Sequence, residues 1–228
     1  MTELQVRSYS GRLFRPRPEI QFAKESGFLG VATPWGARST AERSLQSLFD
    51  FYLSARDDQE VTSPFDRLSC LSSSGNHLRT AVKLTNDLIY REENRGEHLT
   101  GVELLAMVRE GEQLIWAQIG LPHMLLDRKH LGLVQLSGVH EASVQHSANG
   151  RLLHPLPADL LGIHSTSDFA VHSFRSQPGD RLILLSRSVV PASLFSVPAE
   201  KRHLEGISHH LALADAESPF WLAVLELS

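Results

Sequence analysis

The strongest constraint in this sequence is a change of period at Gly101. Before it, two stretches repeat apolar residues at helical spacing: Leu45, Leu48, Phe49, Tyr52 and Leu53, then Leu78, Ala81, Val82, Thr85, Leu88 and Ile89. After it, Val102, Leu104, Ala106 and Val108 alternate, the period of a strand. Two tandem amphipathic helices must bury their apolar stripes against a sheet. Ser39-Thr40-Ala41-Glu42 reads as a capping box and predicts a helix from about Thr40 to Ala55.

The remaining segments supply strands. Leu4 to Tyr9 and Gly27 to Ala32 precede the helices, the latter ending at Thr33-Pro34-Trp35-Gly36. From Gly101 the chain reads as four antiparallel strands of one sheet. The first holds Val102 to Val108, the next Leu114 to Ile119, and Met124 to Leu126 and Leu131 to Leu136 follow a break at Gly120-Leu121-Pro122. Asn149-Gly150 is a type I′ hairpin signal, and Leu152 to Gly162 is irregular. Phe169 to Phe174 precedes a turn at Pro178-Gly179-Asp180 that feeds the apolar run Leu182 to Leu185, which stops at Ser186-Arg187-Ser188. Pro198 to Leu213 holds a short helix, and Phe220 to Leu227 is a buried last strand. With no repeat or linker, residues 1–228 are expected to form a single domain.

A net charge of −4 and a pI near 6.3 give no footprint for nucleic acid and no polybasic membrane anchor. One cysteine, Cys70, excludes an internal disulfide and gives no zinc signature, which fits a reducing compartment. No apolar signal region or membrane-length run is visible, so a cytoplasmic location is expected. The 12 histidines include no pair at ligand spacing. Ser186 with His140 and Asp180 lacks the nucleophile elbow of a serine hydrolase.

Three segments, in this order, carry a family resemblance. Leu78 to Tyr90, LRTAVKLTNDLIY, is similar to the second helix of the metal-dependent (type 2C, PPM) serine/threonine protein phosphatases, with its asparagine at Asn86. Leu114 to Gly120, LIWAQIG, is similar to their l-x-W-A-x-V-G-D-S-R strand and turn. Gly179 to Ser186, GDRLILLS, is similar to G-D-x-L-L-L-C-S-D-G-L. Phe28 to Ala32, FLGVA, and Leu160-Leu161-Gly162 also fall in place. The resemblance implies an α+β fold, a four-layer α/β/β/α sandwich of two antiparallel sheets flanked by helices. The short segment from Val139-His140 to Leu160 implies a reduced flap region.

The same resemblance implies two divalent cations held by carboxylates, because hard cations take anionic oxygen. Here the motifs depart. R-x-x-N-E-D corresponds to Arg15-Pro16-Arg17-Pro18-Glu19-Ile20, and D-G-x-G-G to Thr33-Pro34-Trp35-Gly36-Ala37. The G-D-S-R turn corresponds to Gly120-Leu121-Pro122-His123, S-D-G to Ser186-Arg187-Ser188, the terminal D-N to Ser218-Pro219, and M-G-T-T to Leu99-Thr100-Gly101-Val102. Ile20, Thr33, Arg187 and Ser218 thus stand at the ligand positions. The expectation is a pseudophosphatase with no catalytic residue, no metal and no cofactor.

Its former pocket would be formed by Arg15, Glu19, Thr33, Trp35, Gly36, Leu121, His123, Arg187, Ser188 and Ser218. Arg187 is expected to be neutralised by Glu19, or to join Arg15 and His123 in holding an anion, since Arg15 aligns with the phosphate-contacting arginine of the family. Trp35, beside a Pro and a Gly, is a candidate exposed anchor for a partner. The implied function is binding or regulation in serine/threonine phospho-signalling. The partner would be a protein, phosphorylated or a second copy of this chain, with no nucleic acid and no membrane. The alternatives are an active phosphoester hydrolase with a rebuilt site and a structural subunit of an assembly.

Overall fold

The structure, a computed structural model, describes residues 1, 3–58, 64–139, 141–145 and 154–227. The strands are β1 (Glu3–Tyr9), β2 (Glu19–Ala23), β3 (Phe28–Trp35), β4 (Gly101–Glu110), β5 (Gln113–Ile119), β6 (His123–Arg128), β7 (Gly132–Gln135), β8 (Val171–Arg175), β9 (Asp180–Ser186) and β10 (Phe220–Leu227). The helices are α1 (Arg38–Asp57), α2 (Ser73–Ile89), α3 (Ala142–Gln145) and α4 (Leu204–Ala214). The strands form two antiparallel five-stranded sheets, ordered β1-β10-β9-β6-β7 and β2-β3-β4-β5-β8.

The chain folds as two compact units, each built around one sheet. The first contains Met1–Arg17, Gly120–Ala158 and Ser176–Ser228; the second contains Pro18–Ile119 and Asp159–Arg175. In the second unit α1 lies on β3 and α2 on β4 and β5. Leu45, Leu48 and Tyr52 of α1 and Leu78 and Val82 of α2 join Phe28, Leu104, Val108 and Ile115 in one core. In the first unit α4 rests on β1 and β10, bringing Ile207 and Leu211 against Ile183, Leu185, Phe220 and Leu222.

Several boundaries differ from the sequence reading, each for a local reason. The expected four-stranded meander divides at Gly120-Leu121-Pro122: β4 and β5 belong to one sheet, β6 and β7 to the other. Gly120 turns the chain at φ +69°, and Pro122 has no N–H with which to extend a ladder. The five-residue edge strand β2, which directly follows the Pro-containing segment Arg12 to Pro18 and is half-buried throughout, pairs with β3 from Glu19↔Ala32 to Ala23↔Phe28. β3 continues through Pro34 to Trp35, paired with Gly101 of β4. Helix α1 starts at Arg38 after Ala37, with no side-chain cap, so Ser39 and Thr40 already lie inside it.

The serine run at 72–74 opens α2: Ser72 Oγ accepts a hydrogen bond from the Gly75 N–H at 3.1 Å. Beyond Ile89 the helix continues as a π turn, Tyr90–Asn94. The Pro178-Gly179-Asp180 turn is fixed from both sides. Gly179 has φ +86°, and the Asp180 carboxylate accepts the Gln177 N–H at 2.8 Å and a two-bonded Arg128 fork at 2.9 and 2.7 Å. Burial opposes ionisation of Asp180, but the Arg128 and Gln177 donors hold its pKa below the usual value.

His140, the Asn149-Gly150 hairpin and residues 146–153 of the flap segment lie outside the described residues. Among the described residues no helix is long and apolar enough to cross a membrane.

Candidate functional site

In the first unit, β9 delivers Arg187 into a buried position just beyond Ser186. Its Nη1 donates to the Leu211 carbonyl at 3.1 Å, and its Nη2 lies 3.3 Å from Asp215 Oδ2. The backbone carbonyl of Arg187 lies 3.0 Å from His123 Nε2 on β6. Asp215 is shaped by the turn that follows α4. It accepts the Ser218 hydroxyl at 2.5 Å and the Glu217 N–H at 3.0 Å. Burial lowers the pKa of Arg187 while Asp215 works against that shift. The Ser218 hydroxyl, the Glu217 N–H and Arg187 together hold Asp215 below its ordinary value of 3.8.

Arg15, on the segment after β1, is buried beside Ser188, with its Nη2 donating to Ser188 Oγ at 3.1 Å and to the Glu141 carboxylate. The side chains of Arg15 and Glu141 are only 3% and 1% exposed. Ser143 Oγ donates to the second carboxylate oxygen of Glu141 at 3.0 Å. Arg15 Nε and Nη1 are buried and meet no acceptor among the described residues. Leu121 is fully buried in the turn before β6. The first unit therefore brings together Arg15 with Ser188, and His123, Arg187 and Ser218 through Asp215.

Glu19, Thr33, Trp35 and Gly36 lie in the second unit. Glu19 accepts two bonds from Arg38, at 2.6 Å from Nε and 2.5 Å from Nη2. The expected Glu19–Arg187 pair is thus replaced by two others, Glu19–Arg38 and Arg187–Asp215. Each pair is set by the fold of its own unit: α1 starts Arg38 beside β2, and the Asp215-x-x-Ser218 turn aims a carboxylate at the end of β9. Thr33 is fully buried, with Oγ1 meeting no partner among the described residues, opposite Glu103 in the β3–β4 register. Trp35 is half-buried and its indole N–H donates to Glu103 Oε2 at 2.9 Å, so it is held inward rather than standing free as an anchor. Gly36 adopts φ +130°, where a Cβ would lie 2.6 Å from Thr100 Oγ1.

The sequence reading missed Asp215, Glu141 and Glu103. Only Asp215 carries a sequence signal, its Asx-type spacing to Ser218.

The residues at the aligned ligand positions do not fit a pair of divalent cations. Ile20, Thr33, Arg187 and Ser218 offer no carboxylate, and Arg187 adds a positive charge. In each unit the carboxylates around these positions are engaged, Glu19 by Arg38 and Glu103 by Trp35 in the second, Asp215 by Arg187 and Glu141 by Arg15 in the first. Among the described residues no group of three His, Cys, Asp or Glu side chains is placed to hold a metal ion.

The Arg187–Asp215 pair makes stability depend on pH with a definite sign. A carboxyl whose folded pKa lies below its unfolded value adds stability above the unfolded value, and this is lost as pH falls through the folded one. Unfolding free energy measured against pH should therefore fall below about pH 4, and fall less steeply in an Asp215→Asn variant. Equal slopes would show that Asp215 is not shifted by folding.

No family model matches the chain, and no curated protein matches it in sequence. Solved structures do match. PppA, a key regulatory component of T6SS in Pseudomonas aeruginosa, is similar with a TM-score of 0.67 and 17% identity, over 97% of this chain and 96% of that one. The PPM Ser-Thr phosphatase MsPP from Mycobacterium smegmatis, solved in complex with cacodylate, gives 0.65 and 18% over 100% and 99%. The serine/threonine phosphatase PstP/Ppp of Mycobacterium tuberculosis gives 0.65 and 19% over 99% and 98%. At these identities the likeness is one of architecture: two antiparallel sheets flanked by helices, in an α+β chain with the fold of the PPM serine/threonine phosphatases.

Proposed function

We propose that this chain is a catalytically inactive protein of phosphatase fold that works by binding, as a regulatory component of serine/threonine phospho-signalling with a phosphorylated protein as its partner. The observation that carries this reading is Arg187. It stands where the resemblance puts a metal-binding aspartate, is buried, and has its charge balanced by Asp215 and the Leu211 carbonyl of its own unit. Two unit charges about 4 Å apart at an effective dielectric near 20 interact by about 4 kcal/mol, and a dication doubles the repulsion. Arg15 supports the binding half of the proposal: a buried guanidinium with donors left over suits a phosphoryl group. PppA, a regulatory component within the same fold, is consistent with a regulatory role.

The test is p-nitrophenyl phosphate hydrolysis with Mn²⁺ or Mg²⁺, together with calorimetry of Mn²⁺ binding. No saturable turnover and no Mn²⁺ binding are expected. Saturable turnover abolished by replacing Arg15 or His123 would overturn the inactive reading in favour of a hydrolase with a rebuilt site. Addition of a phosphoserine peptide should raise the melting temperature and shift the NMR signals of Arg15; unchanged signals would remove the phospho-binding half.

A further inference from the structure

Arg15 and Glu141 form a buried pair that is incomplete in an informative way. Among the described residues only Nη2 of Arg15 is used, donating to Glu141 and to Ser188 Oγ, while Nε and Nη1 are buried and meet no acceptor. The same unit shows what a completed arginine–carboxylate fork looks like: Arg128 engages both oxygens of Asp180 through Nε and Nη2, at 2.9 and 2.7 Å. A carboxylate that meets one edge of a guanidinium leaves the other unsatisfied, which is costly in a buried position. A tetrahedral oxyanion has enough acceptors to satisfy both edges.

Glu141 is also delivered separately from Arg15. It sits just before α3, tied down by an antiparallel bridge to Pro157 and by the Ala142 N–H donating to the Leu156 carbonyl at 3.1 Å. Ser143 Oγ holds its second oxygen. Three segments far apart in sequence, around Arg15, Glu141 and Ser188, thus meet at one guanidinium.

We propose that Glu141 is a built-in carboxylate ligand of Arg15 that competes with an incoming phosphoryl group, so that phosphate binds only by displacing it. This rests on the reading of Arg15 as an anion-binding residue and adds its regulation. Glu141 sets a threshold: a monoanion gains little over the resident carboxylate, whereas a phosphate dianion offers more charge and more acceptors to the same donors.

Calorimetric titration with inorganic phosphate tests this on the wild-type chain, Glu141→Gln, Ser143→Ala, Arg15→Gln and the Glu141→Gln/Arg15→Gln double variant. Glu141→Gln keeps the shape of the side chain and removes its charge, and should bind phosphate about tenfold more tightly, the equivalent of about 1.4 kcal/mol. Ser143→Ala releases only one bond to Glu141 and should tighten binding by a smaller factor, which keeps the test usable if Glu141→Gln does not fold. The double variant should lose the gain.

If Glu141→Gln and Ser143→Ala bind as the wild type does while Arg15→Gln abolishes binding, the competing role of Glu141 is overturned and the anion site stands. If no protein in the set binds phosphate, both are overturned. A lower melting temperature for Glu141→Gln with unchanged affinity would make the pair purely structural and also overturn the proposal.

Discussion

Asp215→Asn is expected to lower the unfolding free energy by about 3 kcal/mol, because it strands the buried Arg187 charge without its counter-ion. The side chain of Arg187 is 5% exposed and that of Asp215 29%, so the solvent shares the loss only on the aspartate side. Arg187 would keep the Leu211 carbonyl, and the turn would lose the carboxylate that orders Glu217 and Ser218. Urea denaturation measures the effect. The companion variant Arg187→Met removes the charge that needs a partner, and in that background Asp215→Asn should cost much less. A buried pair can be exchanged for apolar packing with little loss, whereas half a pair is expensive. Equal cost in both backgrounds would show that Asp215 acts through its turn alone.

Asn94→Ala should cost a similar amount, about 3 kcal/mol, through hydrogen bonds rather than charge. Asn94 ends the π turn after α2 and is buried, with every amide atom used. Nδ2 donates to the Thr100 and Gly162 carbonyls at 2.7 Å each, and Oδ1 accepts from the Leu99 and Thr100 N–H groups at 2.8 and 3.1 Å. Alanine would leave four backbone groups without these partners, two of them carbonyls that a buried aspartate could not satisfy either. Asn94→Asp should therefore be destabilising as well, and a loss below about 1 kcal/mol for Asn94→Ala would mean that other contacts hold this segment. Asn86, about two helical turns earlier, does related work: it accepts the Gly162 N–H at 2.8 Å and donates to the His164 carbonyl at 3.0 Å. The asparagine noted in the sequence as a family feature is thus a clamp on the segment around Gly162.

Much of the secondary structure was readable because it depends on period. The apolar stripes of α1 and α2 repeat at helical spacing, and the runs in β9 and β10 are too apolar and too well bounded to be anything but buried strands. The boundaries that were missed depend on single residues. Ser72 rather than Ser39 is a cap, because a cap requires the helix to begin just after it. β2 is only five residues long and directly follows Pro16 and Pro18, so its brief alternation of Ile20 and Phe22 with polar residues is too short to read as a strand. Motif order picks out Arg15, Thr33, His123, Arg187 and Ser218 as candidate positions, but it does not give their contacts.

That division has a physical origin. The sequence by itself determined which segments are helix or strand, their order, and the replacement of the family's carboxylates by Ile20, Thr33, Arg187 and Ser218, because these follow from local spacing and from residue identity. The tertiary structure alone decided sheet membership: alternation tells a strand which face is buried but not which neighbour completes its ladder, so β5 and β6 part company across Gly120. It also decided the charges. An arginine side chain reaches in several directions, and its partner is whichever carboxylate the fold brings into the same desolvated space. For Arg187 that is Asp215, 28 residues away, and for Arg15 it is Glu141, 126 residues away.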